Sequence, residues 1–479
     1  MNLPHACRPH TSTPRFLALG VATLSTVALV GLGCGTAAAA PSSETSTSSP
    51  APATAGPPAI GKVGTVDPTG YLAVTGATAY ASPDTPPLRA VNVATGLQLT
   101  AALASAQPGD NIVLSAGTYV GPFTATVSGT LAHPIVVRPA AGAGVTLTAS
   151  LPAPACSTKG PDPDRTFSFM GGIGHWVLTG LTIDGGVTIS SKNANTVQDW
   201  QAKQINAHNW QARRAVPGAM SRDVLASRTQ EAYLGTLLST DLFPSQDLQI
   251  LGNTITRKGI FGRMTSYDVI SGNSVTDIQC GTGPAVWLAN YSHGNVVSGN
   301  FVARVAASTA VHFMQEGIRL GNGSDYNVVV GNRVRDLPAG GRAITTDQDS
   351  SWNLFTQNRV NGVDIAFNDQ QSGWGNTWSY NLTLNPRISA FSMRMEDIGL
   401  STPSRDSSTY YPVVRCNMVV NSPMDFQAGA VAGGDFESNG FTTWKFNMQL
   451  AGYWTAQGNV WNGSTSLPSI SSPSTTVGC

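Results

Sequence analysis

The chain of 479 residues carries 27 Lys plus Arg against 27 Asp plus Glu, and only 11% of it is charged. So even a balance excludes a global basic field that would draw in nucleic acid or an anionic membrane; a polyanion must be met by a local patch. The length permits one extended domain or several compact ones and does not choose between them.

Arg8 and Arg15 precede the apolar run FLALGVATLSTVALVGLGC and the small-residue tract GTAAAAP, the pattern of an export signal over 1–40. The run is too short and too rich in Gly and Ala to favour a membrane span. Cleavage within 37–40 gives a secreted product. GLGC resembles a bacterial lipoprotein box, with Gly31 where such boxes carry a larger aliphatic residue, and implies the alternative of a cell-surface lipid anchor at Cys34. Residues 41–75, rich in Ser, Thr, Pro and Ala, read as a spacer. Beyond it lie Cys156, Cys280, Cys416 and Cys479, which an exported location allows to form disulfides in three possible pairings; their spacing is not that of a zinc site.

The next segments are more regular. LQLTAALASA, from residue 97, spaces its apolar residues for a short amphipathic helix, and PGD then turns the chain into the strand NIVLSAGTY. A strand-like tract ends near residue 190. The insertion at about 191–246 is partly helical in pattern, and its Trp200 and Trp210 could cover a carbohydrate or simply hold a helix pair in place.

From residue 247 one phrase recurs: ILGNTI, ISGNSV, VSGNFV, VVGNRV, FTQNRV, WSYNLT and VRCNMV. Its asparagines, Asn253, Asn273, Asn300, Asn332, Asn358, Asn381 and Asn417, are 20, 27, 32, 26, 23 and 36 residues apart. Variable intervals around a fixed phrase are the mark of a solenoid with loop insertions. Asparagine tolerates the left-handed backbone of a sharp bend, and stacked asparagines can form a hydrogen-bonded ladder. The predicted fold is therefore an all-β, right-handed parallel β-helix over 76–465, with the segment from residue 97 as its N-terminal capping helix. FNMQL and GNVWNG extend the repeat towards residue 462, and 466–479 is a Ser/Thr/Pro-rich tail.

On these phrases the chain resembles the parallel β-helix proteins that act on polysaccharides, and residues 97–150 are similar to the N-terminal module of the alginate lyase and chondroitinase B family. That resemblance implies a monomeric, secreted or surface-attached enzyme acting on uronate-containing polysaccharide by β-elimination, with calcium or arginine neutralising the sugar carboxylate. In that family a lysine and an arginine on nearby coils supply the base and acid. Here Lys258, Arg263 and Arg319 are the available cations, and Glu316 in QEGI is a possible calcium ligand. The family's asparagine and paired-glutamate calcium cluster is not evident in this sequence, and Lys258 precedes Glu316 by two coils.

Counting back from the ladder asparagines aligns Ile260, Val286, Ile318 and Ile344 in one inward column, with Ile365 as the expected next member. Strand alternation then turns the first and third residues after each anchor outward. Phe261, Arg263, Trp287, Arg319, Asp347 and Asn368 share one face on this register, with Ala289 and Gly321 leaving room between them. Phe261, Trp287, Asn290, Arg342 and Asn368 are the expected substrate-binding residues; Lys258, Arg263, Arg319 and Asp347 are the expected catalytic ones. Asp347 and Asp349 could serve as a hydrolytic acid and base, hold calcium together with Asp369, or only shape a turn. Three readings stay open: a lyase, a glycoside hydrolase using Asp347 with Asp349 or Asp369, and a non-catalytic carbohydrate-binding β-helix.

Overall fold

The structure, a computed structural model, describes residues 88–153, 155–156, 165–190 and 245–461, with breaks at 280–282, 307–314, 371–374, 394–411, 429–433 and 449–453 and at a few shorter sites. The export segment, the spacer, the 191–246 insertion apart from its last two residues, the tail and Asp349 lie outside the described residues. No helix among them is long and apolar enough to cross a membrane.

The described chain winds through three parallel sheets, of 14, 12 and 11 strands, each strand pairing with its equivalent on the adjacent coils. One coil runs Val269–Ser271, Ser274–Ile278 and Val286–Ala289 before Val296–Ser298 rejoins the first sheet. This is the predicted parallel β-helix. The predicted cap is also present: Gly96–Ala104 is a helix whose Thr95 side chain accepts from the Gln98 N–H at 3.2 Å, as an N-cap should. Leu99 and Leu103 from this helix enter the same core as Ile112 and Leu147, closing the end of the solenoid.

The Gly-Asn phrases lie between the 14- and 12-stranded sheets, but the bend is divided differently from expectation. The residue before each asparagine takes the left-handed backbone, with φ of 60–65° at Gly252, Gly272, Gly299 and Gly331, and 55–56° at Gln357, Tyr380, Cys416 and Ser438. The asparagine itself turns inward. Asn300, for example, donates through Nδ2 to Asn332 Oδ1 at 2.9 Å and to the Ile270 carbonyl at 2.9 Å. The ladder runs on from Asn417 to Asn439 and Asn459. FNMQL is therefore not a ladder phrase; Asn447 stands in the 11-stranded sheet opposite Gln427.

A second ladder stands five residues earlier on five successive coils, where the 11-stranded sheet turns into the 14-stranded one. It runs from Asp268 through Asn295, Asn327, Asn353 and Asn376. The residues before them, Tyr267, Gly294, Tyr326, Trp352 and Gly375, are again left-handed. Cys156 and Cys416 are both disulfide-bonded.

In the 11-stranded sheet the expected column holds through Ile260, Val286, Ile318 and Ile344. The next member is Phe367, not Ile365, which pairs with Arg342. The reason lies in how each strand enters the sheet. Two consecutive residues face the core, a small one and then a large one: Ala285–Val286, Ala343–Ile344, Ala366–Phe367 and Ala390–Phe391 are all in the central cluster. Gly317 occupies the small position on its coil, where a Cβ would stand 2.5 Å from the Ala343 carbonyl oxygen and 2.7 Å from a Val334 methyl. This doubled inward step returns the preceding residue to the outside, so Glu316, Arg342 and Ile365 join the outer face.

Candidate functional site

Three outward columns result on the 11-stranded sheet. The central one reads Phe261, Trp287, Arg319, Thr345, Asn368 and Ser392 across successive coils. One flank carries Glu316 and Arg342, paired across adjacent coils. The other carries Arg263 and Ala289, then Gly321 and Asp347, whose N–H groups bond to the carbonyls of Leu288 and Leu320 one coil back. Coils about 4.8 Å apart bring such neighbours within reach of one small group.

The centre is a charged triad. Arg319 donates from Nη1 to Glu316 Oε2 at 2.7 Å and from Nη2 to Asp347 Oδ2. All three are buried, at 4%, 1% and 6% exposure. Arg342 Nη1 adds a longer contact to Glu316 Oε1 at 3.6 Å. Burial opposes the charge on Arg319, yet the carboxylates of Glu316 and Asp347 outweigh it and hold the guanidinium above its usual value. It therefore stays charged and cannot act as a base.

Beside the triad stands an aromatic pair. Phe261 and Trp287 stack with centroids 4.5 Å apart and planes at 20°. Arg319 lies over Trp287 and Arg263 over Phe261, each 5.8 Å from the ring centroid. Burial pulls Arg263 below its usual value. Both aromatic side chains are partly exposed, which leaves an apolar ring surface open.

The structure thus brings Phe261, Arg263, Trp287, Glu316, Arg319, Arg342 and Asp347 together. Asn368 lies in the central column two coils beyond Arg319. Asn290, buried and left-handed, ends the Trp287 strand. Lys258, also buried, stands two residues before Ile260, the flank position that Glu316 holds two coils later. Asp369 departs from expectation: it pairs with Thr346 and Met393 in the inward column and receives a hydrogen bond from Asn376 Nδ2 at 3.0 Å. Burial pushes its carboxyl up to about 6.

Calcium takes six to eight oxygen ligands. Glu316 and Asp347 are both bound to one guanidinium and Asp369 faces inward, while Asp349, the remaining expected ligand, lies outside the described residues. Among the described residues no three of His, Cys, Asp and Glu gather as a metal-binding group.

Neither a family model nor a curated protein matches the chain. Solved structures overlap its course at low identity. An alginate lyase from Paenibacillus sp. str. FPU-7 is 17% identical, with a TM-score of 0.46, covering 78% of this chain and 99% of its own. A GH136 lacto-N-biosidase from Eubacterium ramulus is 11% identical, with a TM-score of 0.45, covering 78% and 68%. The pectate lyase Pel9A is 12% identical, with a TM-score of 0.44, covering 81% and 83%. Overlap at this level assigns neither a reaction nor a residue.

Proposed function

We propose that the chain is an exported polysaccharide-active enzyme that binds a uronate-containing polymer across the outer face of the 11-stranded sheet and cleaves it by β-elimination. The carrying observation is the row Phe261, Trp287 and Arg319, an aromatic stacking surface that leads directly into a charged triad. A sugar ring stacks on the aromatic pair, while Arg263 and Arg342, on opposite flanks, meet carboxylates of neighbouring units.

In β-elimination a base takes the proton next to the sugar carboxylate, its electron pair forms the new double bond, and the glycosidic C–O bond breaks as the leaving oxygen gains a proton from the protonated base or from water. Arg319, held charged, stabilises the enolate-like intermediate. Asp347, outward beside it, is the group placed to take the proton; Lys258 is two coils away from Glu316.

A glycoside hydrolase is the second reading, favoured by one observation: two carboxylates, Glu316 and Asp347, converge on one guanidinium from neighbouring coils. Incubation with alginate, polygalacturonate and glycosaminoglycans separates them. Unsaturated, ultraviolet-absorbing ends support elimination, whereas new reducing ends without unsaturation support hydrolysis. Cleavage undiminished in Asp347→Asn would remove this face from the chemistry.

A further inference from the structure

Gly321 stands in the flank column between Ala289 and Asp347, and two donors converge above it. A Cβ at this position would lie 3.3 Å from Trp287 Nε1 and 3.3 Å from Arg319 Nε, with no other atom of the described residues beyond its chain neighbours within 4 Å. Both nitrogens are buried and neither has a hydrogen-bond acceptor. Arg319 spends one N–H of Nη1 on Glu316 and one of Nη2 on Asp347, and its Nε–H, without a partner, lies beside this notch. Trp287 reaches it from the adjacent coil, held by its stack on Phe261. Buried N–H groups without acceptors are costly, and two that close on one point are arranged for an acceptor that the described residues do not supply.

The surroundings select the acceptor's charge. Glu316 and Asp347 cancel Arg319 and leave one negative charge, which Arg342 offsets at 3.6 Å from Glu316. The remaining cation of the group, Arg263, stands two coils back in the same column and lies over Phe261, whereas Asp347 borders the notch. We infer that the Trp287–Arg319–Gly321 notch is a specificity site that takes one uncharged acceptor oxygen, a sugar hydroxyl or an acetamido carbonyl, from the saccharide stacked on Trp287. Gly321 is the gate: any side chain there fills the notch. This rests on the reading of the face as a saccharide site, and goes beyond it by naming which oxygen chemistry is read and where.

The test measures binding of uronate oligosaccharides and of their carboxyl-reduced counterparts to the full chain by calorimetry. Trp287→Phe keeps the ring and loses only the N–H; Gly321→Ala fills the notch, and no positive φ at 321 opposes it. Each should weaken binding about fivefold to tenfold, by a similar factor for both ligand sets, with melting temperatures close to wild type. Wild-type affinity in both variants overturns the notch while leaving the saccharide site standing. A loss confined to the uronate ligands overturns the uncharged acceptor and assigns a carboxylate instead. Absence of glycan binding by the wild type overturns the notch together with the functional reading.

Discussion

The asparagine ladders and the outer face of the 11-stranded sheet are built from the same coils, yet they treat polar groups in opposite ways. In the ladder, Asn332 Oδ1 accepts from the N–H and Nδ2 of Asn300, and its own Nδ2 reaches Asn358 and the Val297 carbonyl. Every hydrogen-bonding atom of that side chain is used. On the sheet face, Trp287 Nε1, Arg319 Nε, Thr345 Oγ1 and Ser392 Oγ are buried without a hydrogen bond. The ladder holds the coils in register and is closed to ligands. The face carries unmet polar groups at an aromatic surface, as a binding site does before its ligand arrives.

The largest expected effect breaks the face. Arg319→Ala strands two buried carboxylates and should cost about 3–5 kcal/mol of stability along with turnover. The charge-free combination Glu316→Gln, Arg319→Met, Asp347→Asn sharpens the point: it should fold, by circular dichroism and melting, and still be inactive. Normal turnover in that variant would reduce the triad to a structural ion cluster.

Next in size is a test of register. Phe367→Ala removes a fully buried ring and should cost about 3–5 kcal/mol in denaturant titrations, whereas Ile365→Ala, on the outer face, should cost under about 1 kcal/mol. Equal losses would return Ile365 to the core. The ladder should be similarly intolerant: Asn332→Ala leaves buried backbone groups unpaired and should cost about 2–3 kcal/mol.

Asp268 opens the second ladder where later coils use asparagine. It accepts from Thr265 Oγ1 at 2.6 Å and from the Leu248 N–H at 2.9 Å, yet burial pushes its carboxyl up to about 8. The folded state therefore keeps a proton that the unfolded chain releases near its ordinary value, and stability falls as pH rises between the two. Asp268→Asn should raise the melting temperature more at pH 8 than at pH 5; a pH-independent change would show that Asp268 is ionised in the fold. The smallest effect is expected at Gln357, a non-glycine with φ of 56°. Gln357→Gly should stabilise by up to about 1 kcal/mol.

Much of this was legible in sequence. The Gly-Asn phrases gave the solenoid, and four inward anchors placed Trp287, Arg319 and Asp347 on one face. The second ladder was equally readable as an asparagine or aspartate five residues before the first, in DVISGN, NVVSGN, NVVVGN, NLFTQN and NTWSYN, but Gly-Asn drew attention to itself and the earlier position varies more. Ile365 misled because simple alternation does not anticipate two consecutive inward residues. The small-then-large pairs GI, AV, GI, AI, AF and AF carry that signal. The burial of Asp369 followed from the same slip. The Arg319 pairings were not readable, since they depend on side-chain reach across coils.

The most direct measurement is a crystal structure with a bound uronate oligosaccharide. The account predicts a sugar ring on Trp287 and Phe261, with an uncharged oxygen over Gly321 and the chain crossing successive coils of the 11-stranded sheet. An oligosaccharide bound on either of the other two sheets, with this face empty, would contradict it.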